Sequence, residues 1–327
     1  MRGLLTPDRR PVTRFTEDRA IAVAADITAA LDPERLRSGF GLAGYSTADA
    51  VALLRGPPRV MPPAPIGLTI EDMTIGEPRV PIRVYRPTAA AIPGVVLNVH
   101  GGGWVAGSID GDDARCRIIA EKTGCTVVSV GYRLAPEDPF PAGIDDCASA
   151  IEWCCREAAM LGAPAGKLAV VGASAGGNIA IAAMLKLAAA GSGGRPVFHT
   201  QFYPICDCAM DTPSYRENGS GYFLTAPDMA WYWDAYMDGA DPTTPLASIL
   251  RSPDLAQLPP GLIVTSQYDP LRDEGEALAA RINQAGVATE CLRYDGAIHG
   301  ILTLAPQSAL SAAALDKLAI VLAKALA

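Results

Sequence analysis

Apolar positions along this chain follow two rhythms. Leu68 to Ile75 and Val80 to Tyr85 have the length and alternation of strands, and they are predicted to pair antiparallel. Val95–Val99 is a short, nearly unbroken apolar run, as a strand buried on both faces requires. From there strand and helix patterns alternate. Helix Asp113–Thr123 leads to strand Cys125–Val130, helix Ile144–Ala159 to strand Leu168–Val171, and helix Ala175–Ala189 to strand Phe198–Tyr203. Strand Leu262–Ser266 is followed by helix Glu274–Ala285, and strand Glu290–Tyr294 by a terminal helix from about Pro306. Such alternation predicts an α/β fold, a mostly parallel central sheet with helices on both faces. No internal repeat is visible.

Two regions break the rhythm. Residues 1–60 read as helices and connectors. Thr16 to Leu31 is a helix stopped by Asp32-Pro33, and Ser46-Thr-Ala-Asp49 resembles a capping box for a second helix ending at Pro57-Pro58. Met61-Pro-Pro-Ala-Pro65 is a stiff linker. Later, about 55 residues separate the strand ending near Tyr203 from the one starting near Gly261, too many for a plain loop. They contain the densest aromatic stretch of the chain, Tyr222, Phe223, Trp231, Tyr232, Trp233 and Tyr236. This stretch reads as a helical insertion, whose aromatics serve as its own core, as a cover over a substrate pocket, or as both. The expected division is therefore an N-terminal helical segment (1–60), a first core part (61–205), inserted helices (206–250) and a second core part (251–327).

The 327 residues are half hydrophobic and 19% charged, which suits a soluble protein with a large core. The net charge of −8 disfavours nucleic acid and anionic lipid as partners. Between Lys167 and Lys186 no charge occurs, a length that approaches a membrane span. Gly172, Ser174, Gly176, Gly177 and Asn178 divide it instead into strand, turn and helix. With no apolar leader-like run at the start and eight cysteines, the reading is a cytoplasmic protein with reduced thiols. Cys206-x-Cys208 resembles half a metal site, but no second pair has zinc spacing, so no metal is expected.

The chemistry concentrates in four loops. Gly172-Ala173-Ser174-Ala175-Gly176 matches the G-x-S-x-G nucleophile elbow in its strand–turn–helix setting. His100-Gly101-Gly102-Gly103-Trp104 follows a strand directly. Consecutive glycines let backbone N–H groups turn toward one point, as an oxyanion hole needs; Gly101, Gly102 and Ala175 are the candidate donors. A serine hydroxyl needs an adjacent base. Of the three histidines, His100 belongs to the glycine motif and His199 lies inside a predicted strand. His299, in a loop after the last strand, remains as the base. Asp269 follows strand Leu262–Ser266 and is the preferred acid. Asp273 is expected in the next helix, and Asp295 starts the loop of His299 itself. The chain order is then Ser, Asp, His. Trp104, Tyr222, Phe223 and Trp231 are the candidate pocket residues, with Trp104 expected to narrow the space beside the reacting carbonyl.

These motifs, with Tyr132-Arg-Leu-Ala-Pro-Glu137, Phe140-Pro141-Ala142, Tyr268-Asp269-Pro-Leu-Arg-Asp-Glu-Gly275 and Tyr294-Asp-Gly, occur in one order. Together they make the chain resemble the bacterial hormone-sensitive-lipase family of esterases from about Val80 to the C-terminus. The resemblance implies an α/β-hydrolase fold and a helical cap built from the N-terminal helices plus the insertion. It also implies hydrolysis of small soluble esters without a cofactor. Ala173 stands where the family usually has Asp or Thr, and Gly131 where it usually has Asp. The expected function is a carboxylesterase for short- to medium-chain esters, with a small-molecule ester as partner and a homodimer left open. Three alternatives compete. An amidase or lactonase would use the same triad. A binding-only relative would not need one. A dinucleotide-binding domain lacks its acidic residue, because Gly191-Ser-Gly-Gly-Arg195 stands there.

Overall fold

The computed structural model describes residues 13–15, 33–57, 66–89, 92–304 and 308–327. The helix expected over Thr16–Leu31 and the linker Met61–Pro65 lie outside the described residues. Among the described residues nine strands form one sheet: β1 (Thr13–Phe15), β2 (Leu68–Ile75), β3 (Val80–Pro87), β4 (Val95–Val99), β5 (Thr126–Val130), β6 (Leu168–Ala173), β7 (Phe198–Phe202), β8 (Gly261–Tyr268) and β9 (Thr289–Ile298). Their order is β1-β9-β8-β7-β6-β4-β5-β3-β2. From β1 to β5 every pairing is parallel, whereas β3 lies antiparallel to β5 and β2 to β3.

All five residues of β4 and of β5 and all six of β6 are buried, so these strands are covered on both faces. The covering helices follow the connections: α1 (Pro33–Ser38), α2 (Thr47–Arg55), α3 (Asp113–Thr123), α4 (Ala142–Arg156), α5 (Ala175–Ala189), α6 (Pro213–Asn218), α7 (Ala226–Met237), α8 (Arg272–Gln284) and α9 (Ala309–Leu326). One face of the sheet packs on α4, α5 and α8, the other on α3 and α9. The uncharged stretch after Lys167 is β6 plus α5. Twelve of the fifteen residues of α5 are buried, which explains its membrane-like hydropathy inside a globular core. No helix among the described residues is long and apolar enough to cross a membrane.

Most expected elements appear within a few residues of their predicted ends. The strand β1 was not anticipated, because three residues carry too little periodicity. The strand β9 runs on to Ile298, four residues beyond the predicted Tyr294, so Asp295 is a strand residue rather than the start of a loop. Ser46 caps α2 as the capping box predicts, its hydroxyl accepting from the Asp49 amide at 3.2 Å.

His199 sits in β7 fully buried, and neither ring nitrogen has a hydrogen-bond partner among the described residues. Burial pushes its imidazole from 6.5 down to about 4. The unfolded chain then binds a proton below pH ~6.5 that the native state refuses until pH ~4, so stability falls across that window on acidification. The loss attributable to this ring is on the order of 3 kcal/mol. In urea unfolding between pH 7 and pH 4.5, His199→Phe is expected to lose less stability than the parent. Equal losses would assign the acid sensitivity to other groups.

Candidate active site

The carboxyl edge of the sheet presents strand ends side by side in the order β9, β8, β7, β6, β4. Ser174 follows β6. Its backbone is held at φ 55°, ψ −122°, a left-handed conformation disfavoured for a residue with a side chain. Two packing facts hold it there. The Ser174 amide donates to the Phe202 carbonyl at the end of β7 (2.9 Å). The start of α5 also lies so close to β4 that a Cβ at Gly176 would sit 2.2 Å from the His100 carbonyl oxygen. The hydroxyl consequently stands off the turn at the N-terminus of α5.

His299, directly after β9, places Nε2 3.0 Å from Ser174 Oγ, and its Nδ1 lies 2.8 Å from Asp269 Oδ2. Asp269, directly after β8, accepts from the Leu271 amide at 2.9 Å with its other oxygen. Both bonds of the imidazole form together when Nδ1 carries the proton, with Nε2 accepting from the serine. Asp269 is fully buried, and Ser174 and His299 are 8% and 7% exposed. The rival acids are engaged elsewhere or out of place. Asp273 lies in α8, where it accepts from the Ser214 amide (2.8 Å) and from Arg272 (2.8 Å), and Asp295 is inside β9.

The glycine loop after β4 lies against the nucleophile. A Cβ on Gly101 would fall 2.9 Å from the Ala173 carbonyl oxygen and 3.4 Å from Ser174 Cβ, so only glycine fits. Among the described residues, the amides of Gly101, Gly102 and Ala175 donate to no protein acceptor. Tyr132 braces the loop: its ring stacks on His100 (4.2 Å) and its hydroxyl donates to the His100 carbonyl (2.9 Å). Of the two positions that depart from the resembled pattern, Ala173 is the buried last residue of β6. Gly131 follows β5, where a Cβ would meet the Ile109 side chain at 3.1 Å.

Three of the four expected pocket residues are half-buried in the insertion. Phe223 lies beside the triad. Its ring meets Phe40 edge-on at 5.2 Å, and a Cβ on Gly300 would sit 3.6 Å from it. Tyr222 stacks on Tyr268 (4.8 Å), the neighbour of Asp269. Trp231 meets Tyr232 edge-on (5.5 Å), and among the described residues no ring contact joins it to the triad. Trp104 departs from the expectation. It is 1% exposed, with its ring stacked flat on Tyr236 (4.3 Å), so it fills core between the glycine loop and α7 rather than narrowing open space.

Sequence reasoning missed three contributors. Tyr203, left-handed at φ 38°, sets its ring edge-on to His299 (4.6 Å). Asn218 donates to the carbonyls of Gln267 and Asp269 (3.3 Å each), tying α6 to the acid's loop. Asp228, fully buried in the first turn of α7, accepts from the amides of Phe40 (3.0 Å) and Leu42 (3.1 Å) and so clips the N-terminal segment onto the insertion. The position of Tyr203 at a strand end was an available signal; the other two carry none. All eight cysteines are free thiols, and burial pushes that of Cys206 well above the usual range, so it offers no rival thiolate. No cluster among the described residues could hold a metal ion.

The sequence pattern of a family described as alpha/beta hydrolase fold matches residues 96–303. The chain belongs to this α/β-hydrolase family. It is 37% identical to the carboxylic ester hydrolase LipN of Mycobacterium tuberculosis, over 85% of this chain and 77% of that protein. It is 38% identical to an arylesterase of Saccharolobus solfataricus, over 75% of this chain and 80% of the other. Among solved structures, a thermostable esterase from Pseudomonas putida superposes with a TM-score of 0.78 at 32% identity, covering 88% of this chain and 92% of the other. A hyperthermophilic esterase from Pyrobaculum calidifontis gives 0.74 at 37% identity, covering 79% and 87%.

On this α/β-hydrolase scaffold the clip between Asp228 and the Phe40 and Leu42 amides has a measurable worth. Asp228→Ala leaves two amides without their acceptors, which costs roughly 2–4 kcal/mol. The expected result is a lower thermal midpoint and faster protease cleavage ahead of Phe40. An unchanged midpoint and digestion pattern would show that the clip contributes nothing.

Proposed function

We propose that this protein is a carboxylesterase that hydrolyses short- to medium-chain carboxylic esters through a Ser174–His299–Asp269 triad. One observation carries the reading: the unbroken line from Ser174 Oγ to His299 Nε2 (3.0 Å) and from Nδ1 to the Asp269 carboxylate (2.8 Å). Family membership and the esterase relatives support it. Ser174 Oγ attacks the ester carbonyl carbon while His299 Nε2 takes the hydroxyl proton. The carbonyl oxygen becomes an oxyanion, held by the amides of Gly101, Gly102 and Ala175. The carbon–oxygen bond to the alcohol then breaks, and His299 returns its proton to the departing alkoxide. Water, deprotonated by the same histidine, attacks the acyl-enzyme; its collapse releases the acid and restores the serine. Asp269 holds the imidazole in the tautomer the first step needs and stabilises the imidazolium.

Tyr222 and Phe223 are proposed as walls of the substrate pocket and Trp231 as an outer part of the same cover. Aromatic rings of this size leave limited room, which favours short and medium acyl chains. The reaction is assigned to the cytoplasm, where eight unpaired thiols are stable.

Ser174→Ala should lower p-nitrophenyl ester hydrolysis by at least about a thousandfold while keeping the parent's thermal midpoint. A phosphonate ester should label the parent at Ser174 alone. A fully active alanine variant, or labelling elsewhere, would exclude the triad; a stoichiometric complex with intact ester and no turnover would favour the binding-only alternative.

Across p-nitrophenyl esters from acetyl to palmitoyl, kcat/KM should peak at short or medium chains and show no jump as substrate passes its solubility limit. A maximum at palmitoyl, with activation at an emulsion surface, would make the protein a lipase.

A further inference from the structure

The proposed oxyanion hole draws its donors from two separate segments. Gly101 and Gly102 belong to the loop after β4, and Ala175 to the turn after β6. A hole assembled this way works only if both segments are held in register, since donors need to lie within about 2.7–3.1 Å of one developing charge. The β4–β6 ladder joins them as far as Val99 and Gly172; beyond it the loop packs against the elbow at Gly101, but among the described residues no backbone hydrogen bond crosses between them. The loop's turn closes on itself, with the amides of Val105 and Ala106 donating to the Gly102 carbonyl (3.2 and 2.9 Å).

Beyond the ladder the hydrogen-bonded connection runs through two side chains. Trp104 follows the glycines at φ 62°, a left-handed conformation that costs a residue with a side chain roughly 1 kcal/mol or more. In that conformation its indole N–H donates to Asn178 Oδ1 (3.3 Å). Asn178 lies one helical turn beyond Ser174 in α5 and is fully buried. Its amide group donates to the carbonyls of Ile205 (3.0 Å) and Ala247 (2.8 Å). The Ile205 amide in turn donates to the Ser174 carbonyl (3.4 Å). With two carbonyls on one side and an N–H on the other, only one orientation of the carboxamide satisfies all three bonds. From the opposite side α7 grips the same indole, with Tyr236 stacked at 4.3 Å and Trp233 at 4.7 Å.

We infer that Trp104 and Asn178 are positioning residues that lock the glycine loop to the nucleophile's helix, and that the insertion, by seating Trp104, sets the geometry of the oxyanion hole. Neither side chain touches substrate. This rests on the esterase reading above, and it places a rate determinant in the seam between insertion and core. Because the oxyanion exists only in the transition state, loosening the lock lowers kcat and leaves KM nearly alone.

The test uses Trp104→Phe, which deletes the N–H and keeps an aromatic ring. It also uses Tyr236→Leu, which removes the seat of the indole without touching the loop or α5, so a folding failure of one variant leaves the other informative. Competent sites are first counted by phosphonate labelling of Ser174. Failure of the parent itself to label would reject the esterase reading, separately from this inference. Per labelled site, each variant should show kcat on p-nitrophenyl acetate reduced about ten- to hundredfold, with KM changed less than about twofold. Affinity for a trifluoromethyl ketone, whose adduct carries an oxyanion, should weaken by the same factor as kcat/KM. A lower thermal midpoint with parental kcat per labelled site would make the two residues structural only and overturn the inference. A raised KM with unchanged kcat would overturn it too, returning Trp104 to the pocket wall.

Discussion

A serine forced into a left-handed turn between two buried elements is the constraint on which the remaining architecture depends. The turn at Ser174 cannot relax, because β6 behind it and α5 ahead of it are both enclosed in core. The strain is of order 1–3 kcal/mol and is offset by burying α5 almost all round. Its reward is placement. The hydroxyl stands at the positive end of a helix, clear of the sheet edge, where groups from neighbouring strands can reach it. Those groups arrive in the lateral order of the strands. The imidazole comes from β9, the carboxylate from β8, the supporting Tyr203 from β7, the nucleophile from β6 and the glycine loop from β4. A parallel sheet is the device that makes five distant stretches of sequence end at one edge.

Much of this was legible beforehand, for identifiable reasons. Buried parallel strands demand unbroken apolar runs, so β4 and β6 were visible in their composition. The elbow and the glycine loop were visible because close backbone approach excludes side chains, as the contact of Gly101 with Ser174 illustrates. The pairing of His299 with Asp269 followed from elimination and from strand ends. Long-range packing was not legible. Trp104 looked like a pocket residue because it adjoins the glycines, and nothing in the local sequence reveals that its left-handed backbone turns the ring into core. Asp228 and Asn218 look like ordinary helix residues until the elements they join are brought together. The extension of β9 was missed because Asp295-Gly296 reads as a turn, although the Gly296 amide is held by Gln267 (2.7 Å) within the sheet region.

The covering elements are fastened by polar bonds rather than by apolar area alone. Arg55, at the end of α2, donates to the carbonyls of Val105 (3.0 Å) and Ala135 (3.1 Å) and pairs with Glu137. It thereby joins an N-terminal helix to the far side of the glycine loop. Asp228 does the equivalent for Phe40 and Leu42. Directional bonds of this kind specify where a cover sits, whereas apolar contacts between helices tolerate sliding. The ring of Phe40, whose amide is one of the clipped pair, is thereby set where it meets Phe223 edge-on.

The clip at Asp228 also orders events in time. The Phe40 amide and the carboxylate that receives it are 188 positions apart in the chain. At ordinary rates of synthesis, roughly ten to forty seconds pass between the appearance of one and of the other. During that interval the Phe40 and Leu42 amides have no acceptor, while β4, β5, β6 and α5 emerge and can associate. Asp269 and His299 are made later still, so the turn of the nucleophile is synthesised before both the clip and the two residues that complete its line of hydrogen bonds.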